Sequence, residues 1–333
     1  MFHLFVINPK SFRNTDNLEK VLLDMENCFS VGRREQYQIY VSRRPRDAIA
    51  AVRRYVTSAP ADSAVRVYAL GGDGILFDCL NGIIGLPNAE LASVPYGASN
   101  DFVRAFGEGL FDEFKDIRAQ ALSGCIPTDV IDGGSNFALN RVHIGIEAQT
   151  MLNLWNFSYN AANFISRSRF YQSHMGMRTY ISCVLALMNK NLRNQYYTLE
   201  ADGQDFSGRY TTMAISNGPC QGGTMTSAPD AVPNDGLMHF IALKNNVFDA
   251  MILRKIQLYS TGFYKELSPD EYVMIKAKEI KISSDEPINT SFDGEAFVTN
   301  ELNLRIHPSA IKFVNVNGHR YRNEHLLTEG GGI

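Results

Sequence analysis

Four short stretches of this chain hold residues whose types and spacing suit chemistry on a phosphate or a hydroxyl. The first is Leu70-Gly71-Gly72-Asp73-Gly74, which follows an apolar run and precedes a run of helical period. Its glycines reach backbone conformations closed to other residues and let the main chain approach a ligand closely. The helix start behind them offers N–H groups and a positive dipole end. At the carboxyl edge of a parallel sheet, that arrangement suits a nucleotide phosphate. No Lys follows the glycines as in a Walker A loop, and no GxGxxG with an acidic residue about 20 positions on supports a dehydrogenase. Asp73 would repel a phosphate unless a metal ion or an acid/base role offsets it, and a plain strand-to-helix turn is the simpler account of the motif.

The second stretch is Pro95-Tyr96-Gly97-Ala98-Ser99-Asn100-Asp101, at the end of the next apolar run. Successive βα loops end on the same edge of a doubly wound sheet, so Asp73 and Asp101 can face one crevice. Ser99 or Asn100 can equally cap a following helix, and Arg104 stands at helical spacing to pair with Asp101. The third is Ser291-Phe292-Asp293-Gly294-Glu295, which by itself reads as a hairpin turn. The fourth runs from Ser216-Asn217-Gly218 through Gly222-Gly223 to Pro229–Leu237, with Asp235-Gly236 near its end.

The elements that must hold these loops are legible in outline. Over residues 1–128, short apolar runs (FHLFVIN, QYQIYV, VRVYAL, LASV) alternate with helix-period runs (NLEKVLLDMENCF, PRDAIAAVRRYV, ILFDCLNGIIG and the stretch after PYGASN). That alternation predicts βαβ units and a doubly wound α/β domain. Over 129–313 the runs become strand-like, among them VHIGIEA, YYTLEA, RYTTMAIS, LMHFIAL, YVMIKAKEIKIS, INTSF and LNLRI. Helices within 151–168 and 176–193 and near 247–260 interrupt them, which predicts a mainly antiparallel β domain. The tail, about 314–333, is expected to pack back on the first domain.

Composition narrows the function classes. The 333 residues carry 32 Lys+Arg against 35 Asp+Glu, a formal charge of −3, which argues against a protein that coats nucleic acid. Five cysteines at 28, 79, 125, 183 and 220 form no CxxC and no Cys/His grouping, so reduced thiols are expected and structural zinc is not. The N-terminus lacks a signal-peptide pattern, and the most apolar helical stretch, Tyr180 to Met188, is far short of the ~20 residues that span a bilayer. A cytoplasmic protein that can touch a membrane surface is the expectation. The clusters Arg33-Arg34, Arg43-Arg44/Arg46 and Arg53-Arg54 read first as solvated faces, and as attractors for anionic headgroups or ATP phosphates in the sharper reading. His143, in an apolar strand pattern, reads as a satisfied core histidine. Tyr171, Met175, Met177 and Tyr180 read as core positions or as an acyl-chain lining.

Taken in order, Asn8-Pro9, Gly71–Gly74, Pro95–Arg104, Leu139–Gly145, Asn217–Gly223, Pro229–Gly236 and Asp293–Glu295 resemble the bacterial lipid kinases of the diacylglycerol/sphingosine kinase type. The resemblance spans most of the chain. It implies an N-terminal domain like that of NAD kinases, a C-terminal β-sandwich carrying the lipid side, and a chain end that returns to the first domain. It implies ATP, or GTP, in the interdomain cleft with phosphates over Gly71, Gly72, Asp73 and Gly74. Asn8, Ser42, Ala98 and Asn100 would line the nucleotide site. Glu295 would be the general base toward a lipid hydroxyl, with Asp73 and Asp101 in a Mg²⁺-linked network. A structural metal ion would sit at the Asp235 side chain and the carbonyls of Val232 and Leu237. The implied partners are ATP, a lipid at a membrane surface and a second copy of the chain as a homodimer.

The sequence departs from the family pattern at several places. Ile75 stands where Thr usually follows GGDG, Phe77-Asp78 where Asn-Glu is usual, and Ala98 where the second motif usually has Thr. Asn8-Pro9-Lys10-Ser11-Phe12 lacks the usual glycine, and His143 replaces a common Ser. Each lost hydrogen bond to a charged group costs about 1.5–3 kcal/mol. These departures keep two alternatives open: a kinase for a soluble substrate of the NAD kinase type, and a catalytically weak lipid- or nucleotide-binding protein. The three carboxylates favour an active enzyme.

Overall fold

The computed structural model describes residues 1–12, 15–29, 37–159, 175–189, 192, 195–223, 225–245 and 252–329. Fourteen strands carry it: β1 (Phe2–Ile7), β2 (Tyr37–Val41), β3 (Val65–Gly71), β4 (Ala89–Pro95), β5 (Cys125–Asp132), β6 (Phe137–Ala138), β7 (Arg141–Gly145), β8 (Tyr196–Ala201), β9 (Gln204–Asp205), β10 (Gly208–Ser216), β11 (Met238–Lys244), β12 (Tyr272–Ala277), β13 (Glu279–Phe292) and β14 (Glu295–Val314). In the first part, helices α1 (Thr15–Phe29), α2 (Asp47–Ser58) and α3 (Asp73–Ile83) link β1 to β4, and α4 (Ile117–Leu122) precedes β5. In the second, α5 (Ile146–Tyr159), α6 (Met175–Leu187) and α7 (Ile252–Ser260) interrupt the strands, and a short α8 (Leu326–Glu329) lies near the end.

Strands β2, β1, β3 and β4 lie side by side, all parallel. Every residue of β3 is buried, as the uninterrupted run VRVYALG requires of a central parallel strand. The sequence pattern therefore identified this domain correctly. One helix differs: the stretch after PYGASN forms only a 3₁₀ turn at Val103–Phe106. Arg104 accordingly does not pair with Asp101; its Nε donates to the Ser99 carbonyl at 3.0 Å.

The second part is antiparallel in the order β12-β11-β10-β7-β13-β14. Among the described residues, one apolar core fills the first part around Phe5, Tyr68 and Leu91, and two fill the second, around Val142, Met213 and Phe240 and around Ile241, Tyr259 and Tyr264. Strand β14 joins the two parts. Its 20 residues pair antiparallel with β13 and β5, and at Lys312–Phe313 it pairs parallel with β4. A single hydrogen-bonded sheet thus runs through both parts, and β5 crosses the position where the change of texture divides the chain.

Beyond β14 the chain returns to the first part. The Tyr321 ring packs against Phe102 and Phe106, its hydroxyl lies 2.7 Å from Thr128 Oγ1, and Arg322 N–H bonds the Ala105 carbonyl. Among the described residues no helix is long and apolar enough to cross a membrane.

Candidate active site

Two loops meet at the carboxyl edge of the parallel strands. Gly71 O accepts N–H bonds from Tyr96 (2.8 Å) and Gly97 (3.0 Å), so the β3–α3 and post-β4 turns are laced together. A Cβ on Gly97 would fall inside the van der Waals radius of Gly72 Cα and 2.9 Å from Gly72 N. Only two glycines permit that approach. Gly72 caps α3 without a side-chain bond, which leaves the first-turn N–H groups of the helix to the cleft.

The motif aspartates each do a second job. Asp73 is half-buried, with its two oxygens accepting the N–H groups of Asn100 (2.8 Å) and Asp101 (2.7 Å). Asp101 in turn accepts Gly222 N–H (2.9 Å) and Gly223 N–H (2.7 Å), more than a hundred residues away. Asp293 accepts the N–H groups of Leu139 (2.7 Å), Asn140 (2.9 Å) and Arg141 (2.8 Å). Three carboxylates therefore clamp the loops that the motifs comprise, and Asp101 ties the two domains at the cleft. Burial raises the pKa of Asp73, and the nearby Asp101 and Asp293 charges add to it. Burial also pushes Asp293 up to about 6, against its three backbone donors.

Glu295 arrives from the other domain. Asp293 (φ 49°) and Gly294 (φ 90°) both occupy left-handed backbone between the paired residues Phe292 and Glu295, the geometry of a two-residue type I′ hairpin. That tight turn aims Glu295 at the start of α3: a Cβ on Gly74 would lie 3.1 Å from Glu295 Oε1. Burial raises the Glu295 pKa, and the Arg46 guanidinium, 3.8 Å from Oε2, opposes the rise.

Asn8, Ser42, Gly74, Ile75, Asp78 and Glu295 line one cleft of about 110 Å³, together with Lys10 and Arg43–Arg46. The structure thus brings together Asn8, Ser42, Gly74 and Glu295 as the resemblance implied. Gly71, Gly72, Asp73 and Asn100 are not among the residues that line the cleft. Asn100 (φ 51°) closes its own turn by bonding Gly97 N–H and the Gly97 carbonyl. Ala98 contributes no cleft-lining atom. A larger groove of about 1220 Å³ lies between α1 and α4, floored by His3, Phe29 and Tyr96, and it contains none of the carboxylates.

Sequence reasoning missed two members. Asp78 sits one helical turn after Gly74, on the same face of α3, and that spacing was its available signal. Burial pushes its pKa up to about 7, with the Glu295 charge adding, while Ala48 N–H donates to it. Asp47 accepts Arg43 N–H (2.9 Å), Arg44 N–H (3.3 Å) and the Ser42 hydroxyl (2.8 Å), so it builds the β2–α2 loop. Arg46 belongs to a cluster that the sharper sequence reading assigned to phosphates or headgroups; of the arginine clusters, Arg43–Arg46 faces the cleft, while Arg33-Arg34 lies outside the described residues.

At the Asp235 turn the candidate ligands take part in local hydrogen bonds. Val232 O accepts Asn234 N–H (2.8 Å) and Asp235 N–H (3.3 Å). One Asp235 oxygen accepts Leu237 N–H (2.9 Å) and the other lies 3.3 Å from His239 Nε2. Asp129 braces the same turn through Gly236 N–H (2.7 Å) and reaches Ser309 N–H (2.7 Å). Among the described residues no three or more His, Cys, Asp or Glu are grouped to hold a metal ion. Val232, Asp235 and Leu237 share one turn, with the Asp235 carboxylate beside the backbone that the resemblance names as metal ligands.

His143 is partnered, with Nε2 3.1 Å from Gln221 Oε1 and burial lowering its pKa. Gln221 also meets Arg141 and donates to Glu147 (2.7 Å), forming a polar network that reaches Thr212 and Tyr259. Of the proposed acyl-lining residues, Tyr171 lies outside the described residues, and so do the side chains of Met175, Met177 and Tyr180.

Residues 3–131 match the family model described as "Diacylglycerol kinase catalytic domain", and residues 160–315 match "YegS C-terminal NAD kinase beta sandwich-like domain". A Shewanella frigidimarina protein named "Probable lipid kinase YegS-like" is 27% identical over 316 residues, 93% of this chain and 92% of that protein. A crystal structure described as a diacylglycerol kinase from Bacillus anthracis superposes with a TM-score of 0.66 at 18% identity, covering 96% of this chain and 98% of that one.

Proposed function

This chain belongs to the diacylglycerol kinase catalytic domain family, and from that premise we propose that it transfers the γ-phosphoryl group of ATP to a hydroxyl of diacylglycerol, sphingosine or a related lipid. The observation that carries the reading is Glu295 standing over Gly74: the second domain delivers a carboxylate to the uncapped start of α3.

Phosphoryl transfer is largely positioning and charge neutralisation. In this reading the phosphates lie over Gly72–Gly74, where the α3 N–H groups and dipole face them. Glu295 takes the proton of the attacking hydroxyl, and burial has moved its pKa toward the operating range of a general base. Asp73 and Asp101 hold the facing loops in register through their backbone bonds. Asp73, Asp101 and Asp293 repel one another beside the cleft, which supports a reading in which Mg²⁺ arrives with the nucleotide. Bound there, Mg²⁺ would neutralise phosphate charge and relieve that repulsion. Asn8 and Ser42 line the nucleotide end of the cleft. The lipid would approach from a membrane surface against the second domain.

Ile75 supports a second reading. It places an alkyl group in the cleft wall, so weak or absent transfer with retained nucleotide binding is the alternative.

Transfer of labelled γ-phosphate from ATP or GTP to a lipid panel, with wild type beside Glu295→Gln, tests both. Labelled lipid from wild type and a loss of about 10²–10⁴-fold in the variant supports the lipid kinase and its base. Equal labelling by both removes Glu295 from the mechanism. No product despite measurable nucleotide binding favours the second reading.

A further inference from the structure

Arg46 holds a backbone conformation that costs it energy. Its φ is 65°, immediately before α2, and its side chain does not cap that helix. A non-glycine residue in that region is strained by about 1–3 kcal/mol and persists only where its surroundings hold it. What holds Arg46 lies across the cleft. Its guanidinium is 3.8 Å from Glu295 Oε2, donates to the Ala296 carbonyl at 3.3 Å, and lies 4.0 Å over the Phe297 ring. These are three consecutive residues of the opposite domain's hairpin.

None of the three contacts is tight. The ion pair is beyond direct hydrogen-bond distance, the carbonyl bond is long, and the side chain is 39% exposed. The guanidinium borders the same cleft as Gly74 and Ile75. Arg43, Arg44 and Lys10 border the cleft as well, but Arg46 is the cation whose guanidinium meets the Glu295 hairpin. Ile75, on the facing wall, has no hydrogen-bonding group to offer. An incoming terminal phosphate would compete with Glu295 for Arg46, and a charge-assisted fork to phosphate is stronger than a 3.8 Å ion pair.

We propose that Arg46 is a movable phosphate-sensing cation: it rests on the Glu295 hairpin when the cleft is empty and transfers to the terminal phosphate of a bound nucleoside triphosphate, leaving the Glu295 carboxylate free. This rests on reading the cleft as the nucleotide site. It makes Arg46 a specificity determinant that separates triphosphate from diphosphate and unmasks the base only when a donor is present.

The test is calorimetric titration of the full chain with a Mg²⁺-bound β,γ-imido ATP analogue and, separately, with ADP. Arg46→Gly is the main variant, since glycine adopts φ 65° without strain and the fold is preserved. Arg46→Lys keeps the charge without the fork. Arg46→Gly is expected to weaken the imido analogue by about tenfold or more and ADP by about twofold or less, with Arg46→Lys between. Glu295→Gln is expected to tighten the analogue more in the Arg46 background than in the Arg46→Gly background, because only there is a cation released. Equal losses for both nucleotides, no loss for either, or equal effects of Glu295→Gln in the two backgrounds would overturn the assignment while leaving the nucleotide site intact. Wild type that binds neither nucleotide would overturn the site and, with it, the role of Arg46.

Discussion

Replacing Asp101 by asparagine separates two roles that the same carboxylate can play. The structure gives Asp101 two backbone bonds, to Gly223 N–H at 2.7 Å and Gly222 N–H at 2.9 Å, which pin a loop of the second domain to a turn of the first. Asparagine keeps one acceptor oxygen and turns an NH₂ toward the other glycine N–H. One charge-assisted bond is reduced to a neutral one and one donor faces a donor, a combined cost of about 1.5–3 kcal/mol. The cost must appear without nucleotide and with a chelator present, since both bonds belong to the empty protein. Urea unfolding under those conditions measures it, and amide exchange at Gly222 and Gly223 should quicken in parallel. Turnover should fall by more than the stability loss explains if Asp101 also acts on a nucleotide-bound cation. A variant with the unfolding midpoint and Gly222/Gly223 exchange of the wild type would refute the clamp, and would confine Asp101 to the loaded enzyme.

Three further outcomes follow from the same geometry. Gly97→Ala drives a methyl group into Gly72, so the two phosphate-facing turns must separate; nucleotide binding should fall by at least about tenfold, and a variant that binds like wild type would show that the loops yield freely. Asp78 has its folded pKa raised to about 7, so the stability linked to its protonation is fully present below about pH 4 and is lost as pH rises through 7. Asp78→Asn, neutral throughout and still able to accept Ala48 N–H, should therefore show a flatter melting temperature between pH 4 and 8, with a gain on the order of 1–3 kcal/mol at pH 8; parallel profiles would contradict that. Finally, a half-buried Glu295 serving as the base would act only when ionised, so the acid limb of kcat/KM should lie above the ordinary carboxylate range and disappear in Glu295→Gln. An unshifted limb would mean that solvent reaches Glu295 freely.

The alternation of strand and helix signals located the parallel domain because a strand buried on both faces must be apolar throughout, as β3 is. The glycines of GGDG and the Asp293-Gly294 turn were equally legible, since backbone approach and left-handed turns restrict residue type locally. The stretch after PYGASN was less so. Its helical spacing yields only a 3₁₀ turn, because Asp73 and the Asn100 side chain hold the chain in a different path. Nor did LNLRI and IKFVNV announce a single 20-residue strand; its continuity depends on pairing with β13, β5 and β4, which lie far away in the chain.

From the residues alone, then, came the two-part architecture and the Gly-rich loop, which rest on periodicity and on residue types that local geometry demands, and the family resemblance, which rests on the order of the motifs. Tertiary structure decided that Asp73, Asp101 and Asp293 are clamps between loops, that Glu295 stands over Gly74, and that Arg46 reaches across to it. Those facts turn on which backbone N–H a carboxylate meets after the chain has closed on itself, and a linear pattern carries no record of partners more than a hundred residues apart.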